Sequence, residues 1–144
     1  PSVLHQSGQK HLADLQQAYA DAGVNAETVD FIDEPAAAFA HADVVIARAG
    51  ASTVTELAAI GAAALFVPYP HAVDDHQSSN AHFLVDKDAA WMMAQTEFTA
   101  ESLRNWLTGM DRAQLQQAAQ KAKALARTGA TRAIVSACSE VVGA

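Results

Sequence analysis

Apolar positions along the chain fall into short β-branched runs separated by stretches with a helical period. Val3-Leu4-His5-Gln6 is a first short strand. Ser7-Gly8 opens a helix whose stripe is Leu12, Leu15, Ala18 and Tyr19, spaced so that they share one face, and Gly23 ends it. Thr28 to Ile32 alternates toward a second strand, and Asp33-Glu34-Pro35 starts a short alanine-rich helix with proline suited to its first turn. Asp43-Val44-Val45-Ile46-Ala47 then reads as a buried strand. Val54, Leu57, Ala58 and Ile60-Gly61 follow as a helix with a glycine stop, and Ala63 to Pro68 as another buried strand. After Pro70 a loop leads to a helix between Gln77 and Asp86, and Ala89 to Gln95 is the last strand. Thr99 caps a helix holding Leu103, Trp106 and Leu107, Asp111 caps a longer one through Arg127, and Thr131 to Val142 makes a third. Strands alternating with helices predict the α/β class: a Rossmann-like parallel sheet with flanking helices, followed by a helical tail.

The chemistry concentrates where the Asp43–Ala47 strand hands over to the next helix. Arg48-Ala49-Gly50-Ala51-Ser52-Thr53 supplies small residues and hydroxyls at that turn, with Ser52 or Thr53 as the expected N-cap. A helix amino terminus presents unpaired N–H groups and the positive end of its dipole, so Gly50 to Thr53 suit an anion such as phosphate. One turn on, the Glu56 carboxylate can accept two hydrogen bonds from a vicinal diol such as a ribose. A second polar run, Asp74-Asp75-His76-Gln77-Ser78-Ser79-Asn80, stands at the carboxyl end of the following strand, where open α/β sheets bind ligands. On the residues alone, Gly50 to Thr53 equally describe a tight turn with a helix cap, and Glu56 a solvated carboxylate. Arg48 equally pairs with an acid such as Asp75 or assists a diphosphate, and Asn80 braces its loop.

Composition narrows the field. At 144 residues the chain has room for one domain and a real core, but not for a complete two-lobed enzyme. No run approaches the roughly 20 apolar residues of a membrane span, and the amino terminus lacks the basic and apolar regions of a signal peptide. A net charge of −7 argues against nucleic acid or an anionic membrane as the partner of this surface. The single cysteine, Cys138, has no internal partner and fits a reducing cytoplasm. His5, His11, His41, His71, His76 and His82 show no paired spacing with a carboxylate, so no metal site is expected. Trp91, Trp106, Phe83 and Phe98 read as packing residues, and Lys121, Lys123, Arg127 and Arg132 as a solvated face or a surface for a further lobe.

RAGASTVTELAAIG, then LFVPYP, then DDHQSSNA resembles the nucleotide-sugar signature of the MurG family of peptidoglycan transferases, and the similarity extends outward through VLHQSG and FIDEPAAAFAHADVV. The resemblance covers essentially all of residues 1–144. It implies the carboxyl-terminal UDP-sugar (donor) binding domain of a two-domain GT-B glycosyltransferase, amino-terminally truncated. That family domain opens with a strand and a glycine-rich loop, whereas this chain starts at the equivalent of its second strand. The expectation is therefore one half of a GT-B enzyme lacking its first strand, compensated by re-paired strands, by self-association of the chain, or by association with the missing piece.

The resemblance also distributes roles. It gives the diphosphate to Ala51, Ser52 and Thr53, the ribose hydroxyls to Glu56, and the uracil edge to the backbone of Ile32; Gly50 and Arg48 join the diphosphate site by their place in the same turn. His76 and Gln77 fall where the family hydrogen-bonds the sugar, with Asn80 in the same block; histidine replaces the glutamine that some members carry first, which makes that contact sensitive to protonation. The implied reaction moves N-acetylglucosamine from UDP-N-acetylglucosamine to lipid I, forming lipid II, with inversion and with no metal or other cofactor. The catalytic residues are expected in the missing amino-terminal domain, as is the lipid I site. The chain alone is thus expected to bind UDP weakly and to be inactive. The full-length protein is expected to be cytoplasmic, held peripherally at the inner face of the bacterial plasma membrane, with no nucleic-acid partner. Two alternatives stand beside it: a UDP-sugar transferase for another acceptor, and a non-catalytic partner-binding remnant of such a domain.

Overall fold

The computed structural model describes residues 1–70 and 75–142; His71 and Asp74, named above, lie outside the described residues. By packing, the chain divides into two compact units, Pro1–Ala38 and Phe39–Ala144.

The first unit is a single βαβ turn. Strand β1 (Leu4–Gln6) leads through a one-turn 3-10 segment (Gln9–His11) into helix α1 (Leu12–Asp21), and the chain returns as β2 (Glu27–Val29), parallel to β1 with Leu4 opposite Glu27 and Gln6 opposite Val29. Leu12, Leu15 and Tyr19 of the expected stripe are half-buried, while Ala18 is exposed. The Tyr19 ring meets His5 of β1 edge-on, its hydroxyl 3.1 Å from Nδ1. The second strand is shorter than the alternation to Ile32 suggests. Its partner β1 ends at Gln6, and the last backbone bond runs from the Ser7 N–H to the Val29 carbonyl, so residues beyond Val29 have no strand to pair with. Helix α2 (Pro35–His41) begins at proline as expected and crosses the boundary between the units.

The second unit carries a three-stranded parallel sheet, β3 (Val45–Ala47), β4 (Ala64–Phe66) and β5 (Trp91–Met92), with β4 in the middle. Being covered on both faces, β4 is apolar throughout, and Leu65 and Phe66 are fully buried. Strand β5 stops far short of Gln95: its last bond goes from the Met93 N–H to the Phe66 carbonyl, and Pro68 has no N–H to continue the ladder.

Helix α3 (Ala51–Ile60) connects β3 to β4 and buries Val54, Leu57 and Ala58. It packs on α4 (His76–Val85) and on α6 (Arg112–Ala124). Against α6 the approach is close, because Ala118 and Ala122 are the buried residues of that helix. Gly61, at φ 79°, ends α3 in the left-handed conformation; a Cβ there would lie 3.0 Å from the Lys123 Cβ. The remaining helices are α5 (Ala100–Gly109) and α7 (Ala130–Val142). Thr99 and Ser102 form a capping box on α5, Asp111 and Gln114 another on α6, as the capping residues predict.

Trp91 and Trp106 pack edge-on, ring centres 5.4 Å apart, as packing residues should. Phe83 does not join the core. It is 37% exposed, and the Arg127 guanidinium lies over its ring at 5.5 Å. The basic residues of α6 are likewise more than a solvated face: Lys121 pairs with Asp88 at 3.2 Å, and Lys123 donates to the Ala59 carbonyl. Among the described residues no helix is long and apolar enough to cross a membrane.

Candidate functional site

Two loops at the carboxyl ends of β3 and β4 form the candidate site in the second unit. The first, residues 48–50, drops at once into α3. Gly50 is the N-cap, at φ −63° and ψ 146°, and its carbonyl accepts the Val54 N–H at 3.0 Å. The expectation of Ser52 or Thr53 as N-cap is therefore corrected: the helix starts before them, at Ala51. The reason lies in Ala49. It is fully buried, and its carbonyl is held at 3.0 Å by the Asn80 side-chain amide from α4, which sets the turn at least two residues earlier than the hydroxyls suggest.

The shift changes what the turn offers. Glycine has no side chain to reach back, so no side-chain cap bond closes this end of the helix. The N–H groups of Ala51, Ser52 and Thr53 are first-turn donors with no intrahelical acceptor, and they point out of the helix end. Gly50 also keeps the approach open, since a Cβ there would meet only the Thr53 Oγ1, at 3.7 Å. Ala51, Ser52, Thr55 and Glu56 are exposed, on the opposite side from Val54, Leu57 and Ala58. Four residues apart, Ser52 and Glu56 are neighbours on that open face, with Cβ atoms about 5–6 Å apart. The helix end thus presents donors for an anion and, one turn along, an acidic acceptor.

The second loop is tied to the first. Arg48 extends from the end of β3 and donates through one guanidinium nitrogen to the Val67 carbonyl at 3.0 Å and the Pro68 carbonyl at 3.1 Å, with its guanidinium carbon 5.6 Å from the centre of the Tyr69 ring. The expected structural alternative, pairing with Asp75, is replaced by this arrangement: the Asp75 carboxylate instead accepts from the Ser78 hydroxyl at 2.7 Å. Tyr69 in turn donates its N–H to Gln77 Oε1 at 2.9 Å. That bond uses the acceptor end of the Gln77 amide and fixes its direction. His76 is exposed in the first turn of α4, and Asp75 before it sits at φ 50°, an uncommon conformation for a non-glycine residue.

Arg48, Gly50 to Thr53, Glu56, His76, Gln77 and Asn80 therefore all lie on these two loops or on the first two turns of α3 and α4. Ile32 belongs to the first unit. It is half-buried, and its N–H donates to the Gln6 side chain at 2.9 Å. Two participants escaped the sequence reading. Tyr69 links Arg48 to Gln77, and the only signal for it was a tyrosine set between Pro68 and Pro70 at a strand end. Gln6 reads in the sequence only as the end of a strand, although a polar side chain at a strand's carboxyl end is well placed to reach a neighbouring loop.

Residues 2–136 match the Glycosyltransferase family 28 C-terminal domain. Among similar proteins, one from Polaromonas sp. (strain JS666), named UDP-N-acetylglucosamine--N-acetylmuramyl-(pentapeptide) pyrophosphoryl-undecaprenol N-acetylglucosamine transferase, is 53% identical over 98% of this chain and 36% of its own length. A protein of the same name from Nitrosomonas europaea is 52% identical over 99% of the chain and 40% of its own length. The chain thus spans well under half the length of these curated relatives. Among solved structures, MurG of Acinetobacter baumannii superposes with a TM-score of 0.87 at 43% identity, over 94% of this chain and 42% of that one. The glycosyltransferase VinC, solved in complex with DTDP, superposes at 0.61 and 18% identity over 97% of this chain and 42% of that one, a likeness of fold alone.

Proposed function

The chain belongs to the glycosyltransferase family 28 C-terminal domain family, and from that premise we propose that it is the donor-nucleotide-binding part of an inverting hexosyltransferase. The donor is UDP-N-acetylglucosamine and the acceptor lipid I, the product being the lipid II of peptidoglycan synthesis. The observation that carries this reading is the open amino terminus of α3, with no side-chain cap and with Ser52 and Glu56 one turn apart on its exposed face.

In the proposed mechanism the acceptor hydroxyl attacks the anomeric carbon from the face opposite the diphosphate. The bond from that carbon to the diphosphate oxygen breaks, and UDP departs with its electron pair. Negative charge grows on the leaving oxygen as the bond lengthens. The N–H groups of Ala51, Ser52 and Thr53, with the helix dipole behind them, stabilise that charge more strongly than they stabilise the ground state. Glu56 accepts from the ribose hydroxyls. Gln77, its carbonyl engaged by Tyr69, presents its NH2 group as a donor to a sugar oxygen, with His76 beside it. In the first unit the Ile32 backbone is assigned to the uracil edge.

Arg48 takes a supporting role, since its guanidinium donates to the backbone carbonyls of Val67 and Pro68. The group that accepts the acceptor's proton and the lipid I site are assigned to the part of the longer relatives that this chain does not cover. With them go peripheral attachment to the inner face of the plasma membrane and activity itself; a residues 1–144 domain of this kind binds donor without transferring sugar.

Calorimetry with UDP-N-acetylglucosamine tests the reading, with Glu56→Ala and with UDP-glucose as competitor. Losing the ribose contact should weaken binding by about 1–3 kcal/mol, as for an unsatisfied polar group, while Glu56, being exposed, leaves stability unchanged. Equal affinity in wild type and variant would remove Glu56 from the site. Absence of nucleotide binding would favour the non-catalytic remnant.

A further inference from the structure

Gln6 closes β1 opposite Val29, and beyond that pair the chain turns away from the strand. Three residues later the Ile32 N–H faces no backbone acceptor and is met by the Gln6 side-chain carbonyl at 2.9 Å. A peptide N–H has one hydrogen and one good bond to give. The function proposed above asks that same N–H to serve a pyrimidine edge, where the acceptor is again an amide-type carbonyl.

The two acceptors are rivals for one donor, and we infer that Gln6 is an internal competitor at the base-reading backbone, a specificity-determining side chain that an incoming pyrimidine must displace. The inference rests on the assignment of Ile32 to the base. In the free chain the carboxamide keeps the N–H satisfied and holds the loop in place. A base offering a carbonyl at that edge exchanges one amide acceptor for another, so displacement costs little. A base offering an amino group has no acceptor to exchange, and Gln6 stays in its way. Because Gln6 and its bond are exposed, the side chain can swing into water when released.

The test uses 15N-labelled chain, titrated with UDP and with inorganic pyrophosphate, for wild type, Gln6→Ala and Gln6→Glu. In wild type the Ile32 amide resonance should shift with UDP and not with pyrophosphate. Gln6→Ala should bind UDP about threefold more tightly, within the range of one modest hydrogen bond, and pyrophosphate unchanged. Gln6→Glu should bind UDP more weakly, because a carboxylate holds an N–H about twice as strongly as a neutral acceptor. If the Ile32 amide shifts with UDP but Gln6→Ala binds it equally or less tightly, Gln6 is a loop brace and the inference fails alone. If UDP moves the amides of Ser52 and Thr53 but leaves Ile32 in place, the assignment of Ile32 to the base fails and the inference with it.

Discussion

Arg48 offers the sharpest separation between a strut and a ligand-binding cation. Its two donations, at 3.0 and 3.1 Å, go to the carbonyls of Val67 and Pro68, and its guanidinium lies 5.6 Å from the Tyr69 ring centre. Each hydrogen bond is worth about 1 kcal/mol net, and an exposed cation–π contact about 0.5–1 kcal/mol. Allowing for the exposure of the arginine, Arg48→Ala should destabilise the second unit by about 2 kcal/mol. Arg48→Lys keeps the charge, but an ammonium lacks the planar face that lies over the Tyr69 ring and the rigid fork that aims one nitrogen at both carbonyls, so about 1 kcal/mol should still be lost. Urea unfolding followed by tryptophan fluorescence reads the right region, since Trp91 and Trp106, both in the second unit, pack on one another. The midpoint should fall with an unchanged slope. If Arg48→Ala unfolds within about 0.3 kcal/mol of wild type, the strut is energetically empty. If Arg48→Lys alone keeps both stability and nucleotide affinity, charge is what matters there.

Four substitutions at three positions probe the surrounding architecture. Gly61→Ala forces a left-handed residue to carry a Cβ 3.0 Å from the Lys123 Cβ and 3.3 Å from the Ala119 carbonyl oxygen; it should cost about 2 kcal/mol or more by denaturant melting. Gly109→Ala, with nothing within 4 Å of the new Cβ, is its control and should be neutral or slightly stabilising; equal effects at the two positions would refute the packing of α3 on α6. Asn80→Ala should cost about 1–2 kcal/mol by leaving the buried Ala49 carbonyl unpaired, and Asn80→Asp more, since a carboxylate then faces that carbonyl. An Asn80→Asp variant as stable as wild type would mean that Asn80 does not hold the turn.

The existence and order of the elements were legible because helical stripes and β-branched runs are local signals, as α1, α3 and β4 illustrate. Their ends were not. β2 and β5 stop where their partners β1 and β4 stop, a property of the pair that no single strand encodes. The N-cap was misread for a similar reason. Ser52 and Thr53 are better capping residues than Gly50, but the turn is set by Asn80, 31 positions along the chain. Arg48 shows a different limit: its partners are backbone carbonyls, which every residue possesses, so nothing in the side-chain pattern points to Val67 and Pro68. The turn from β3 into α3 was itself legible, because small residues between an apolar strand and a glycine-terminated helix mark such a junction.

The most direct test of the central claim is a titration of the 15N-labelled chain with UDP-N-acetylglucosamine, read at every backbone amide. The account predicts that the largest shifts of the second unit fall at Ala51, Ser52 and Thr53, the donors left open by the Gly50 cap. Saturable binding that leaves those three amides unmoved would contradict it.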